Sequence, residues 1–333
     1  MEQLNSIRAK LAQYGQTHLL DHWERLDQSE QGSLLEQINS IDFALLERLF
    51  RERQKEKEKL SITELKPLAY TKLEDQSYDD FAVWRERGYW MLKEGLVGAL
   101  LVAGGQGTRL GHHAPKGTYC FGSPSGYSLF ELQALRIAHL QNDHEAKIPW
   151  LIMTSQLNDQ VTREYFAQNN YFGLERENIF FFSQGKLPAI DDKGKIFLSS
   201  PGRIAMVPDG NGGVFRALKK SGGLEWLKDR GCSTLYLYGV DNALVRVCDP
   251  PLIGFHMARQ RPISCPVVRK AYPEEKVGLF VEYNGNSCVA EYTDIPDEMR
   301  FARDPKGNLI FDGSNLAIHI LNLEVLNEAA EHT

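Results

Sequence analysis

The stretch that most constrains this chain is an apolar run followed at once by a glycine-rich turn. Residues 97–103 are apolar on both alternating faces, which is typical of a buried strand in a parallel sheet. Glycines then follow at positions 104, 105, 107 and 111, and they let the backbone turn sharply and approach a ligand closely. The sequence therefore predicts a ligand-binding turn at the carboxyl end of a central strand.

Polar and cationic side chains lie within and just after this turn, at Gln106, Thr108, Arg109 and Lys116. Such a turn presents amide hydrogens to phosphate oxygens, and the two cations add fixed positive charge. A glycine-rich surface turn without a ligand is the alternative. The cations at this spacing after a buried strand favour phosphate binding.

Two common phosphate motifs are absent from the turn. A dinucleotide GxGxxG pattern starting at Gly105 would need glycine where Leu110 stands, and a Walker motif would need Lys116 to follow its glycine rather than precede Gly117. The turn is therefore a different kind of phosphate loop.

The rest of the chain alternates predicted strands and helices. Strands are predicted at 149–154, 179–182 and 234–240, with helices at 128–141, 158–169 and about 215–229. This alternation predicts an α/β fold with a doubly wound sheet. Ligands bind beyond the carboxyl ends of such strands, so we expect the glycine turn, Thr154-Ser155 and Ser183-Gln184 to converge on one crevice.

The flanking segments predict a domain division near residue 75. Residues 1–59 carry helical apolar stripes with breaks at Gly15 and at 27–32, and 60–75 is a predicted extended link. We expect an N-terminal helical segment with its link at 1–75 and a second domain, which carries the phosphate-binding turn, at 76–333. Turn signals at 191–194 and 304–307 predict hairpins added to the main sheet, which makes it mixed.

Composition excludes several classes of protein. A formal net charge of −6 argues against a nucleic-acid surface, and no apolar run or leader predicts a membrane protein or secretion. Five scattered cysteines without a CxxC pair favour free thiols in a reducing compartment over disulfides or a zinc site. We therefore expect a cytoplasmic protein. The cysteines are Cys120, Cys232, Cys248, Cys265 and Cys288.

Two later segments carry further candidate site residues. Pro208-Asp-Gly-Asn-Gly-Gly213 is a second glycine-rich loop just before a helix, and Asn211 offers both donor and acceptor. Asp241 ends a buried strand, where a carboxylate can ligate Mg²⁺ beside phosphate oxygens. A ligand-free helix entry and a simple turn cap are the respective alternatives.

The motif GGQGTRLG at 104–111 with Pro-Lys-Gly at 115–117 closely resembles the UDP-sugar pyrophosphorylases, nearest to their UDP-N-acetylhexosamine branch. Further similar segments are GQxHLLxxW from Gly15, YxVDN ending at Asn242, and VEY at 281–283. The resemblance covers almost the whole chain. It implies a Rossmann-like, GT-A-like nucleotidyltransferase fold with a β-rich insertion, and it makes residues 76–333 the nucleotide-sugar-binding catalytic domain. It assigns a structural role to the segment from Gly15.

The resemblance also implies a reaction. UTP and N-acetylglucosamine 1-phosphate or a related sugar 1-phosphate would give the UDP-sugar and pyrophosphate, by in-line attack on the α-phosphorus with Mg²⁺. Such chemistry needs positioning and charge neutralisation more than covalent catalysis. Arg109 and Lys116 would be the catalytic cations, and Asp241 the metal ligand. The nucleotide would contact Gly104, Gly105, Gln106, Gly107, Thr108, Gln184 and Gly210, with Gln184 reading the uracil edge.

The implied sugar-binding residues are Asn211, Gly278, Glu282 and Asn315. The family pattern Gly-Asn-x-x-x-His is altered here, because Ser314 follows Gly313 and Ile318 stands where the branch often has Asn. We interpret His319 as a core histidine, and His112 and His113 as exposed loop residues.

Three functional hypotheses remain open on the sequence. A UDP-glucose or broad UDP-sugar pyrophosphorylase is one alternative to the N-acetylglucosamine enzyme. A nucleotide-sugar binder without turnover is the other, because family members continue into a C-terminal region that supplies another lysine, and this chain ends at Thr333. We expect no nucleic-acid or membrane partner, and the sequence does not fix the oligomeric state.

Overall fold

The computed structural model describes residues 2–59, 65–122, 124–210 and 212–332. It divides into two compact units, which we call the helical unit (Met1–Ser61 with Gly185–Gly210) and the sheet unit (Ile62–Gln184 with Asn211–Thr333). The domain division at residue 75 expected from the sequence stays a prediction.

The secondary structure alternates as expected through the sheet unit. The helices are α1 (Glu2–Gln13), α2 (Gln28–Ser40), α3 (Phe43–Lys59), α4 (Tyr78–Lys93), α5 (Leu129–His144), α6 (Asp159–Gln168), α7 (Gly213–Lys220), α8 (Gly223–Asp229), α9 (Pro250–Arg259), α10 (Asp297–Arg300) and α11 (Leu323–His332). The strands are β1 (Leu65–Pro67), β2 (Val97–Val102), β3 (Trp150–Thr154), β4 (Ile179–Ser183), β5 (Lys186–Pro188), β6 (Leu198–Ser200), β7 (Arg203–Ile204), β8 (Met206–Pro208), β9 (Thr234–Gly239), β10 (Ile263–Ser264), β11 (Val267–Arg269), β12 (Leu279–Tyr283), β13 (Asn286–Ala290), β14 (Gly313–Asn315) and β15 (His319–Asn322).

The main sheet of the sheet unit is mixed, with strand order β10-β15-β9-β2-β3-β4 among the described residues. The strands β9, β2, β3 and β4 run parallel. At one side β15 pairs antiparallel with β9, and β10 pairs antiparallel with β15. Strand β2 lies between β9 and β3, with Val102 paired to both Gly239 and Met153. The predicted α/β fold with a mixed, doubly wound sheet is confirmed.

Both faces of the main sheet are covered by helices, which explains why its strands are continuously apolar. Ala99 and Leu101 of β2 belong to the core on one face, where Phe130 of α5 and Phe166 of α6 also pack. Leu100 belongs to the core on the other face, with Leu227 of α8. Successive side chains of a strand point to opposite faces, so β2 is buried between two helical layers, and only Val102 at its carboxyl end is half-buried.

A second sheet in the sheet unit is antiparallel and runs β1-β12-β14-β11, with β13 paired to β12. Its first strand, β1, lies in the segment that the sequence predicted to be an extended link, and Lys66 pairs with Glu282 in register. Residues 60–64 of that predicted link lie outside the described residues.

The helical unit has its own core, formed by α1–α3 and the strands of residues 185–210. Leu34 and Ile38 of α2 pack with Ile196 and Ile204. Buried Gln16 accepts from Ile196 N at 3.0 Å and donates to Gly194 O at 2.8 Å. This gives the segment from Gly15 a structural role, as the resemblance implied. Each described helix of the protein is too short or too polar to cross a lipid bilayer.

Three local predictions were wrong. The single helix expected over 215–229 is two helices, because Gly222 takes φ +79° between α7 and α8. The break expected at 27–32 is confined to Asp27, whose side chain caps α2 in a reciprocal capping box with Glu30. The turns at 191–194 and 304–307 exist, but their flanking residues pair only with each other (Ile190 with Ile196, Arg303 with Leu309) and not with the main sheet.

Candidate functional site

The glycine-rich turn leaves β2 at the carboxyl edge of the main sheet. Of its four glycines, Gly111 alone takes a left-handed conformation, with φ +69°. Gly104 matters for close approach, because a Cβ at that position would lie 3.0 Å from Gln184 Oε1. Gln184 follows β4 and its N–H donates to Thr154 O at 2.8 Å. The structure thus brings together the three segments that were expected to converge.

The backbone N–H groups of Gly104, Gly105 and Gln106 have no hydrogen-bond partner among the described residues. In contrast, the following turn is held internally, since Gly107 N donates to Ala114 O at 3.0 Å. Backbone N–H groups without an internal acceptor are free to donate to water or to a ligand, and successive N–H groups at a turn can bind an anion. These amides can therefore receive phosphate oxygens.

Lys116 is anchored against the glycine turn by its own backbone. Its N–H donates to Gly105 O at 3.1 Å, and a Cβ on Gly105 would lie 3.7 Å from Lys116 Cε. The next residue, Gly117, packs against the ring of Phe130, because a Cβ there would meet the ring at 2.2 Å. The Pro-Lys-Gly motif therefore fixes the lysine backbone between the turn and α5.

The structure joins the two predicted charged groups of opposite sign. Lys116 Nζ lies 3.3 Å from Asp241 Oδ2, with side-chain exposures of 25% and 68%. Asp241 follows β9, the parallel neighbour of β2. The lysine and the carboxylate therefore face the same solvent-accessible edge of the main sheet.

Asn158 holds this edge together and was not identified as a site residue from the sequence. It is 1% exposed, and its Oδ1 accepts from Ser155 N at 2.7 Å and from Ser155 Oγ at 3.0 Å. Its Nδ2 donates to Ala103 O at 3.1 Å and to Gly105 O at 3.4 Å. The sequence marked Asn158 only as a helix start; no signal in it revealed these contacts.

A polar cluster supports the end of β3 next to Gln184. Thr154 Oγ1 donates to Asp159, and lies 3.3 Å from Ser183 Oγ. Arg163 Nε donates to Asp159 Oδ2 at 2.7 Å. These bonds order the β3 and β4 ends on which Gln184 depends.

The predicted sugar-binding residues of the sheet unit lie in or beside the second sheet. Asn315 N donates to Gly278 O at 2.8 Å, so those two residues are adjacent. Asn315 Oδ1 accepts from Ala317 N at 2.9 Å, and Glu282 Oε1 lies 3.9 Å from Lys66 Nζ. The structure thus joins Gly278 to Asn315 and places Glu282 further along β12.

Other predicted residues stand apart from these contacts. Thr108 and Arg109 form an exposed 3₁₀ turn. Gly210 belongs to the helical unit, where it has φ +80°. Asn211 lies outside the described residues.

The histidines near the site have internal partners. His319 Nδ1 lies 3.0 Å from Cys265 Sγ; burial lowers the pKa of His319 and raises the pKa of the Cys265 thiol to about 11. Both groups are thus neutral near pH 7, and the thiol donates, which fits a packed histidine. Ile318 is buried in the core. His112 is half-buried and bonded to Thr118 Oγ1 at 2.7 Å, so the expectation that it is simply exposed was wrong.

The residues of this edge fit a magnesium ion that is shared with a substrate. In the described part of the chain there is no group of three acidic, histidine or cysteine side chains that could hold a metal alone. Mg²⁺ is commonly bound by one or two carboxylates together with phosphate oxygens and water. Asp241, an exposed carboxylate at the same edge of the sheet as the unpaired amides, could provide that kind of partial site.

Comparisons with known proteins point to one family. A family model described as UTP–glucose-1-phosphate uridylyltransferase matches residues 41–333. The chain is 37% identical to UDP-N-acetylglucosamine diphosphorylase 2 of Arabidopsis thaliana (96% of this chain, 67% of the relative). It is 38% identical to UDP-N-acetylglucosamine pyrophosphorylase of Saccharomyces cerevisiae (94% and 68%).

A solved structure points to the same family. The crystal structure of the uridine diphosphate N-acetylglucosamine pyrophosphorylase from Trypanosoma brucei, in complex with an inhibitor, superposes with TM-score 0.86 at 30% identity. The match covers 100% of this chain and 68% of that one. The chain thus spans about two thirds of the length of the proteins that it matches.

Proposed function

This chain belongs to the UTP–glucose-1-phosphate uridylyltransferase family, and on that premise we propose that it is a nucleotidyltransferase that makes UDP-N-acetylglucosamine. The substrates are UTP and N-acetylglucosamine 1-phosphate, and the second product is pyrophosphate. The relatives of 37% and 38% identity carry the names of N-acetylglucosamine enzymes, which supports this sugar over glucose.

The observation that carries the proposal is the arrangement at the carboxyl ends of β2 and β9. Three unpaired amides at residues 104–106, the Lys116 amine and the Asp241 carboxylate lie there together. Donors for phosphate oxygens and a ligand for a phosphate-bound cation are the parts that phosphoryl-group chemistry needs. A binder of neutral sugars would have no use for this combination.

The roles follow from the charges. The sugar phosphate oxygen attacks the α-phosphorus of UTP and the bond to pyrophosphate breaks, so negative charge shifts to the leaving group. The loop amides and Arg109 hold that leaving group, and Lys116 neutralises charge on the phosphates during transfer. Mg²⁺ at Asp241 supplies charge neutralisation and alignment of phosphate oxygens when bound.

Recognition of the two substrates is assigned to the flanking segments. Gln184 pairs its amide with the uracil edge, and Gly107 and Thr108 complete the phosphate turn. Gly278, Glu282 and Asn315 bind the sugar, together with Asn211 in the loop that also contains Gly210. The adjacency of Gly278 and Asn315 at 2.8 Å supports a shared sugar surface.

We also propose a cytoplasmic location. All five cysteines are free thiols, and Cys232 and Cys248 are buried, as in a reducing compartment. We expect no nucleic-acid or membrane partner at this negatively charged chain.

A coupled pyrophosphate-release assay tests the function. The chain is mixed with UTP and Mg²⁺, and N-acetylglucosamine 1-phosphate is compared with glucose 1-phosphate at equal concentration. We expect release with the first sugar and a much lower kcat/KM with the second. UTP binding without release from either sugar would contradict the enzyme proposal and favour a nucleotide-sugar binder.

A further inference from the structure

Lys116 and Asp241, which have separate roles in the proposed reaction, form an ion pair with each other. Lys116 Nζ donates to Asp241 Oδ2 at 3.3 Å, so the amine faces a carboxylate and one carboxylate oxygen faces an amine. Building on the proposed function, we propose that Asp241 masks Lys116 in the nucleotide-free protein. A divalent cation that takes over the carboxylate then releases the lysine to the phosphates.

The path of both side chains supports this masking. The Lys116 side chain lies along the glycine turn, with Nζ 3.8 Å from where a Cβ on Gly105 would be. Asp241 folds back so that its Oδ1 is 2.9 Å from where a Cβ on Gly239 would be. Its two oxygens are thus turned toward different neighbours, one to the strand end and one to the amine. A cation that binds the lysine-facing oxygen competes with the amine and repels its positive charge.

The pair is also weak enough to be displaced. The Asp241 side chain is 68% exposed, and ion pairs in such high-dielectric surroundings contribute little free energy. A divalent cation carries twice the charge of the ammonium group and arrives with phosphate ligands of its own. Exchange at this carboxylate therefore needs no rearrangement of the buried strands.

The ion pair makes the contribution of Lys116 to phosphate binding depend on the divalent cation. Without a cation, an incoming triphosphate meets a neutralised lysine and a nearby carboxylate. With a cation on Asp241, the lysine and the cation both present positive charge to the phosphates. The lysine thus contributes to nucleotide binding only when the metal is in place.

A double-mutant cycle tests the masking. UTP binding is measured by calorimetry in EDTA for the full chain and for Lys116→Gln, Asp241→Asn and the double variant. We expect Lys116→Gln to weaken binding by less than about twofold when Asp241 is present, and by at least about fivefold in the Asp241→Asn background. An equal effect of Lys116→Gln in both backgrounds overturns the proposal, because loss of repulsion from Asp241 alone would be additive.

Metal binding gives an independent readout. Mn²⁺ affinity is measured by electron paramagnetic resonance without nucleotide, and we expect Lys116→Gln to tighten it by about two- to fivefold. The matched control is Lys93→Gln, which breaks the Lys93–Glu145 ion pair elsewhere in the sheet unit and should leave Mn²⁺ affinity unchanged. Unchanged or weaker Mn²⁺ binding by Lys116→Gln overturns the masking.

The same experiments separate this proposal from the proposed function. If Asp241→Asn leaves Mn²⁺ affinity unaltered, Asp241 is not the metal ligand and the site assignment itself fails. If the unaltered chain does not bind UTP even with Mg²⁺, the proposed function fails. Circular dichroism and a thermal melt of each variant confirm that it is folded.

Discussion

Asn158 offers the sharpest test of how the glycine turn is held. Asn158→Ala removes the acceptor of Ser155 N–H and Oγ and the donor to Ala103 O and Gly105 O. Because the side chain is 1% exposed, water does not freely replace these partners. A buried polar group left unpaired costs about 1–3 kcal/mol. Ser155 N–H and Ala103 O lose their partner, and at that cost for each we expect the sheet unit to lose about 2–6 kcal/mol of stability.

Amide hydrogen exchange followed by mass spectrometry measures this locally. We expect faster exchange in peptides covering the end of β3 and the glycine turn, together with weaker UTP binding by about tenfold, which is about 1.4 kcal/mol. The matched control is Asn178→Ala, since Asn178 is only half-buried and its side chain donates to Glu175 Oε2 at 2.8 Å in a solvent-exposed hydrogen bond. Surface substitutions of this kind change stability by less than about 0.5 kcal/mol. If Asn158→Ala is no more disruptive than Asn178→Ala, the bonds described above do not hold the turn.

Three further outcomes are expected. Lys116→Ala should lower kcat in the pyrophosphate-release assay by about 10²–10³, the scale of a lost charge-stabilising donor, and normal turnover would remove its assigned role. Gly117→Ala should lower the melting temperature and weaken UTP binding, because its Cβ would meet the Phe130 ring at 2.2 Å and overpacking costs about 1–3 kcal/mol; an unchanged melt would refute the clash. Burial lowers the pKa of His256 below its ordinary 6.5, so the unfolded chain binds the proton more readily and stability should fall as pH drops below about 6.5. Urea unfolding at pH 7.5 and 5.5 measures this effect. Between these two pH values His256→Gln should lose less unfolding free energy than the unaltered chain, and an equal loss would exclude His256 as the cause of the pH dependence.

The sequence predicted the sheet unit well where apolar strands are flanked by turn residues. The predicted strand at 97–103 corresponds to β2, because burial on two faces gives a continuous apolar run that ends at glycine. The predicted helix at 128–141 corresponds to α5. The break at Gly222 was missed, since apolar periodicity runs through it and only the left-handed backbone reveals the turn.

The sequence also did not predict that residues 185–210 belong to the helical unit rather than to the sheet unit. Its turn signals were correct, but turns do not specify a partner, and the segment pairs its strands internally and shares a core with α2. Which core the segment packs against depends on which apolar face elsewhere in the protein is uncovered, and the local sequence pattern carries no information on that face.

The sequence predicted which residues form the candidate site, but it did not predict how they contact each other. Glycine spacing and cations identified the turn, and the strand end identified Asp241. The direct pairing of Lys116 with Asp241 depends on β9 lying beside β2, which the sequence order of the strands does not reveal. Asn158 was missed because an asparagine at a helix start is ordinarily explained as a cap, whereas here its side chain bonds backwards to Ser155.

The discontinuous helical unit has a consequence for synthesis on the ribosome. Gln16 emerges early, yet the backbone group it accepts from, Ile196 N, is 180 residues further along. The part of the α1–α3 core that packs against Ile196 and Ile204 therefore stays exposed while β2 to β4 are translated. A nascent chain stalled before residue 185 should engage chaperones through these helices, and it should cease to do so once residue 210 has left the exit tunnel.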